Sequence, residues 1–270
     1  MKPLEISFIV SCFNSEKFLD GLIENLLQQD LQEYEIIIVD SASTDSSVQI
    51  AQRWELNDPR VKLIQQSKRT PYGVSWLDGW QRADGVVVAN SNTDDKSYQW
   101  RARKVVEAYH SRSMTRDIKS PAFYYGGYET RVDGVTIAKG LPPPFSIDDM
   151  SQFFRCGVHV HWDNHMRGFV DWGLMYERAY QYKSAFDYWL ILYFMRLSAV
   201  GVPIPSCFSI YNQRKDSLEQ SDKERNTFES LRAIEEFYPD GKSILALERE
   251  TKIKSPEWYA RYRAFCEQFN

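Results

Sequence analysis

At 270 residues, 43% of them hydrophobic, 14% aromatic and 26% charged, the chain has the makeup of a soluble globular protein, long enough to bury a sizeable core as one large domain or two small ones. A formal net charge of -4 supplies no general attraction to a polyanion, which disfavours nucleic acid as a partner. No apolar run approaches the roughly 20 residues that span a bilayer, and the opening MKPLEISFIVSCF is too short and wrongly flanked for a signal peptide. The cytoplasm is therefore the expected location, with peripheral contact at the inner face of a membrane left open. Cys12, Cys156, Cys207 and Cys266 lie far apart without a CxxC pair, which points to reduced and mostly buried thiols rather than a zinc site or a disulfide framework.

Ile6 to Ser11 is a short run of β-branched and aromatic residues and reads as a first strand, entering a turn at Cys12, Phe13 and Asn14. From Glu16 onward, Phe18, Leu19, Leu22, Ile23, Leu26 and Leu27 recur at steps of three and four, the stripe of an amphipathic helix. Glu35 to Asp40 is a second strand, and the SASTDSS that follows supplies a turn in which Asp45 is placed to cap a helix over Val48 to Trp54. Val61 to Gln65 is a third strand. Pro71 to Ala83 is a third helix, with proline in the first turn, where its missing donor does little harm. Val86 to Ala89 is a fourth strand, buried on both faces. Four strand and helix alternations at short spacing predict a parallel sheet covered by helices on both sides.

The fourth strand runs into a polar turn that ends in Asp94 and Asp95. In open α/β sheets ligands gather outside the carboxyl ends of the strands. Two adjacent carboxylates repel each other there unless a divalent cation with oxygen ligands, itself held by a diphosphate, lies between them. The plain alternative is that both are turn acids capping a helix that begins near Tyr98.

Beyond the paired acids, Ser97 to Arg112 reads as a helix with Arg101, Arg103 and Lys104 on a solvated face. Phe123 to Tyr128 and Val135 to Lys139 flank Asp133 and Gly134, a hairpin signal. Pro142, Pro143 and Pro144 break regular structure and mark the junction of two halves. Phe153 to Trp162 reads as a strand with His159 and His161 on one side, and Ser184 to Val200 as an aromatic helix bearing Asp187. Pro203 to Tyr211 follows as a strand, then a polar loop over Asn212 to Gln220. Ser221 to Phe237 and Pro256 to Phe269 are amphipathic helices whose aromatic stripes are expected in the core.

Four segments in order, SFIVSCFNSEKFL, YEIIIVDSASTDSS, ANSNTDDKS and KSAFDYWLIL, resemble the inverting family 2 glycosyltransferases with the GT-A fold and cover most of residues 5 to 215. The resemblance implies an α/β, Rossmann-like domain with a mostly parallel central sheet flanked by helices, plus C-terminal helices. It implies one domain over 1–270, with about 1–120 binding the nucleotide-sugar, about 121–220 the acceptor and about 221–270 closing the fold. Phe13 would pack on the base, with Asn14 in the same turn, and Asp40 would lie near base and ribose. Ser41 stands where the family often has a second acid, which leaves the base open. The stretch Arg69 to Trp76, RTPYGVSW, would border the donor pocket, with Arg69 a partner for phosphate. Asn92, Asp94 and Asp95 form a variant of the DxD motif, in which Asp95 and Asp94 would hold Mg2+ or Mn2+ with the donor diphosphate.

Asp187, at the start of an aromatic helix and partly desolvated, would be the base that takes a proton from the acceptor hydroxyl. His161 is a further candidate metal ligand, and Tyr211 and Arg214 would help close over the donor. The implied activity is metal-dependent inverting transfer of a sugar from a nucleotide-sugar to a glycan or glycolipid acceptor. A UDP-sugar is the first expectation, with GDP- and dTDP-sugars as alternatives. A nucleotidyltransferase of related architecture is disfavoured, because SCFNSEKF lacks the glycines of a phosphate loop. A catalytically inactive glycan- or protein-binding member of the same fold is the alternative from another class.

Overall fold

The computed structural model describes residues 3–114, 121–142, 160–197, 199–213, 223–237 and 256–268. Its first half runs β1 (Ile6–Cys12), α1 (Leu19–Leu27), β2 (Tyr34–Asp40), α2 (Ser47–Asn57), β3 (Val61–Gln65), α3 (Tyr72–Arg82) and β4 (Val87–Asn92). Then come β5 (Lys96–Ser97), α4 (Arg101–Met114), β6 (Ala122–Val132), β7 (Val135–Gly140) and β8 (Val160–Asp163). A 3-10 turn (Asn164–Gly168) leads to α5 (Trp172–Gln181), α6 (Phe186–Arg196), β9 (Val200–Asn212), α7 (Lys223–Phe237) and α8 (Pro256–Glu267).

These strands form one sheet in the order β3-β2-β1-β4-β8-β6-β9-β5, with β7 paired to β6. The first four strands are mutually parallel, as the alternation of strand and helix requires. Among the described residues every antiparallel pairing involves a strand from β5 onward, and β8 enters between β4 and β6. Alternation of side chains sorts the core into two layers. Ile6, Phe8, Val10, Ile36 and Ile38 pack under α1, α2 and α4, while Ile9, Ile37 and Val39 face α3 and the C-terminal helices. Every residue of β2 is buried, so both faces of that strand are covered and its EIIIVD run needs no polar alternation.

The hairpin forms as expected, with Asp133 at φ 50° and Gly134 at φ 78°, both in the left-handed region that a two-residue turn of this twist demands. The aromatic stripes of α7 and α8 are core, with Phe228, Tyr262 and Cys266 buried and Trp258 packed against them. Cys12, Cys207 and Cys266 are free and buried. Cys156 lies outside the described residues, as do Pro143, Pro144 and most of the strand expected over 153–162. The fourth strand extends past Ala89 to Asn92. Its polar end is paid for by partners, since the Asn90 carbonyl accepts from Arg101 at 2.7 Å and Asn90 Oδ1 accepts from the Val160 amide at 3.1 Å.

Candidate active site

Because β1 to β4 are parallel and in register, their carboxyl ends line one rim. Cys12 stands opposite Asp40, Asp40 opposite Gln65, and Ser11 opposite Asn92. The turns that leave those ends carry Phe13, Asn14, Ser41, Asp94 and Asp95. β9 runs parallel to β6, so its last residue, Asn212, arrives at the same rim.

At the β1 and β2 end two turns are stitched together. Asn14 adopts φ 48°, tolerable for Asn, and its Oδ1 accepts from the Thr44 amide at 2.8 Å while its own amide donates to Ser43 Oγ at 2.9 Å. Ala42 also sits in the left-handed region, at φ 53°, where a residue with a Cβ pays on the order of 1 kcal/mol. Asp40 is buried; its Oδ2 accepts from the Ser43 amide at 2.9 Å, and its Oδ1 is buried with no hydrogen-bond partner among the described residues. A buried acceptor without a donor is costly unless something brings one to it.

The Arg69 guanidinium lies 4.1 Å from the centre of the Phe13 ring, which brings two expected donor-pocket residues together across the mouth of this pocket. Ser41 Oγ accepts from the Thr70 amide at 2.6 Å, so the serine ties the β2 end to the segment carrying Arg69.

At the β4 end, Asn92 Nδ2 donates to Asp95 Oδ2 at 3.0 Å and the Asn212 amide donates to Asp95 Oδ1 at 3.1 Å. Asn212 Nδ2 also donates to the Asp94 carbonyl at 2.7 Å. Asp95 is 2% exposed, and burial together with the neighbouring Asp94 pushes its carboxyl up to about 7 against those two hydrogen bonds. Such a carboxylate fits a cation. No cluster of three potential metal-ligating His, Cys, Asp or Glu side chains occurs among the described residues. The chain here offers two adjacent carboxylates, the donor set of ions that draw their remaining ligands from water and substrate phosphates.

Two expectations are corrected here. Arg101 is fully buried instead of solvated: its guanidinium donates to His161 Nε2 at 2.8 Å, Ser97 Oγ at 2.8 Å, Ser91 Oγ at 3.2 Å and the Asn90 carbonyl at 2.7 Å. It sits one turn before the buried Val105, on the inward face of α4. His161, expected as a metal ligand, is taken up by that network, since its Nε2 accepts from Arg101 and its Nδ1 faces the Tyr124 carbonyl at 3.3 Å. Burial and the Arg101 charge hold the imidazole well below its ordinary value and keep it neutral. Arg101→Met is expected to strand these partners at a cost of about 3–5 kcal/mol. That lowers Tm by roughly 10 °C. A melting curve within about 2 °C of wild type would show the network to be dispensable.

Asp187 stands in the first turn of α6, half-buried. Its Oδ1 accepts from the Tyr188 amide at 2.9 Å and from the Tyr72 hydroxyl at 3.3 Å. Asn212 was not among the expected site residues, and Tyr72, within the stretch expected to border the donor pocket, was not expected to meet Asp187. Asn212 had a readable signal, because it follows a predicted strand whose end shares the rim, whereas Tyr72 sat in plain view within RTPYGVSW without any feature marking its partner. His165 is exposed, with its ring beside Phe169, and Tyr211 is half-buried in β9. His159 and Arg214 lie outside the described residues.

Residues 7–138 match the family model described as glycosyl transferase family 2. A Bacillus subtilis (strain 168) protein provisionally named the teichuronic acid biosynthesis glycosyltransferase TuaG is 29% identical over 147 residues, 54% of this chain and 55% of its own length. The glycosyltransferase GlyG of Streptococcus pneumoniae is 32% identical over 90 residues, 33% of this chain and 30% of its own. The chain thus spans about half the length, or less, of these curated relatives. The S. aureus protein TarS in complex with UDP superposes with a TM-score of 0.61 at 17% identity, over 94% of this chain and 74% of that one. The mannosyltransferase PcManGT from Pyrobaculum calidifontis, in complex with GDP-Man and Mn2+, gives 0.60 at 13% identity, over 98% and 76%. At these identities the superpositions establish the fold, which is GT-A.

Proposed function

We propose that this chain, which matches the glycosyl transferase family 2 model over residues 7–138 and has the GT-A fold, is a metal-dependent inverting glycosyltransferase that moves a sugar from a nucleotide-sugar to an acceptor hydroxyl in polysaccharide or glycolipid synthesis. The observation that carries the reading is the buried Asp95 carboxylate beside Asp94 at the end of a central parallel strand. In this reading the domain is one unit, with about 1–120 holding the donor, about 121–220 the acceptor and about 221–270 closing the fold.

The base would stack on Phe13, the ring that Arg69 covers. The Oδ1 of Asp40, which has no hydrogen-bond partner among the described residues, accepts an N–H from the base edge. Uracil, thymine and guanine present a ring N–H there whereas the ring nitrogen of cytosine is an acceptor, so Asp40 supports UDP, GDP and dTDP alike over CDP. Asp94 and Asp95 would hold Mg2+ or Mn2+, which when bound offsets the charge growing on the leaving diphosphate. Asp187 takes the proton of the acceptor hydroxyl as that oxygen attacks the anomeric carbon from the face opposite the diphosphate, which inverts the configuration there. TarS bound to UDP and to UDP-GlcNAc, and PcManGT bound to GDP-Man and Mn2+, are neighbours that lend this reading support. Among the described residues no helix is long and apolar enough to cross a membrane.

The test is thermal stabilisation by UDP, GDP, dTDP and CDP, each with and without Mn2+. A ligand at 100 times its dissociation constant stabilises the folded state by about 2.7 kcal/mol. For a chain of this size that is a rise in Tm of roughly 5–10 °C. A shift from UDP that requires Mn2+ is the expected result. No shift from any nucleotide at millimolar concentration would favour a member of the fold that binds a glycan or protein without catalysis.

A further inference from the structure

Asp187 does not stand alone at the start of α6. The Tyr72 hydroxyl, from the first turn of α3, accepts from the Phe186 amide at 2.9 Å and from the Asp187 amide at 3.3 Å while donating its one proton to Asp187 Oδ1. It therefore caps the helix and orients the carboxylate with a single oxygen. The approach is close because residue 73 is glycine: a Cβ there would meet the Phe186 ring at 2.5 Å.

From the other side, the fully buried Glu229 of α7 accepts from the amides of Lys183 at 3.1 Å, Ser184 at 2.7 Å and Ala185 at 3.0 Å, and from Ser184 Oγ at 3.0 Å. Arg225 balances its charge at 2.7 Å. The loop that launches α6 is thus clamped to α7, and the first turn is pinned to α3. Tyr72 also lies two residues after Thr70, whose amide binds Ser41, and three after Arg69, which covers Phe13.

We propose that Tyr72 is a positioning residue for the reaction: it holds Asp187 in a fixed relation to the donor pocket, because one short segment lines that pocket and grips the carboxylate. The proposal rests on the reading of Asp187 as the base. Its physical content is that turnover depends on the hydroxyl of Tyr72 whereas donor affinity does not. A misplaced base loses rate steeply with displacement, while the pocket made by Phe13, Asp40 and the paired acids is untouched.

The experiment compares Tyr72→Phe with Asp187→Asn and wild type in Mn2+, reading UDP release from UDP-glucose, UDP-galactose and UDP-N-acetylglucosamine together with the Kd of each. The ring and its packing survive in Tyr72→Phe, and only the hydroxyl is lost. The expected result is a kcat lower by roughly 10- to 100-fold with donor Kd within about twofold of wild type. Wild-type kcat in Tyr72→Phe, or a loss of kcat matched by an equal loss of donor affinity, overturns the proposal. An active Asp187→Asn instead overturns the reading of Asp187 as base, so the two failures are distinguishable. A crystal structure of Tyr72→Phe decides independently of turnover: the Asp187 carboxylate is expected to leave its wild-type position, and an unmoved carboxylate overturns the proposal.

Discussion

Asp187→Asn is expected to lower kcat by about 10³-fold while leaving donor binding and Tm close to wild type, in line with the usual contribution of a general base. The change removes the basicity of the carboxylate. Asn retains an oxygen that can accept from the Tyr188 amide and the Tyr72 hydroxyl, both of which donate to Asp187 Oδ1. The first turn of α6 stays capped, and the clamp from Glu229 to the preceding loop is two residues away. Turnover is to be measured beside the Kd of a UDP-sugar in Mn2+, because the pair of numbers separates lost chemistry from lost binding. Activity within a few-fold of wild type would move the proton acceptor to another group.

Asp95→Ala is expected to abolish Mn2+-dependent stabilisation by nucleotide, and with it transfer, since Asp94 alone cannot balance a divalent cation against a diphosphate. The same carboxyl sets a pH dependence. Its folded value, about 7, lies above the ordinary carboxylate value of 3.8. Below about pH 4 the group is protonated in the folded and unfolded chain alike. Between about 4 and 7 the folded protein keeps a proton that the unfolded chain has released, so metal-free stability falls as pH rises through that window and changes no further above it. Metal needs the ionised form and competes with that proton. Apparent affinity for Mn2+ with a UDP-sugar should therefore be about tenfold weaker at pH 6 than at pH 8. A UDP-sugar is the right probe, because UDP carries a terminal phosphate that titrates in the same range. Equal affinity at the two values, or a full nucleotide shift in Asp95→Ala, would remove Asp95 from the metal site.

The parallel half was legible because its cues are local. EIIIVD is apolar enough to be buried on both faces, the α1 stripe repeats at helical steps, and Asp133-Gly134 permits the two positive φ angles of its turn. Strand ends were legible too, and in a parallel sheet they lie on one rim, which is why Asp94 and Asp95 were placed on it from the strand pattern, while the family resemblance pointed to Phe13 and Asp40. Arg101 was misjudged for the opposite reason. In RARK it looks like its neighbours, and only the stacking of α4 against β1 and β4 turns it inward, where His161, Ser91 and Ser97 await its guanidinium. That single burial also withdrew His161 from the metal.

What the amino-acid sequence determined by itself, then, is the order of elements through β4 and the chemistry offered at each of those strand ends, because hydrophobic period and turn residues act over a few positions along the chain. Tertiary structure alone decided which side chains meet. Tyr72 and Asp187 are 115 residues apart, as is plain from their numbers. Asn212 reaches back to Asp94 and Asp95, and Glu229 reaches back to the loop before α6. Each of these contacts is a hydrogen bond made possible by the packing of α3, α6 and α7 on one face of the sheet or by the arrival of β9 at the rim. No local propensity encodes them, since a hydrogen bond of this kind depends on distances of about 3 Å that only the assembled core imposes.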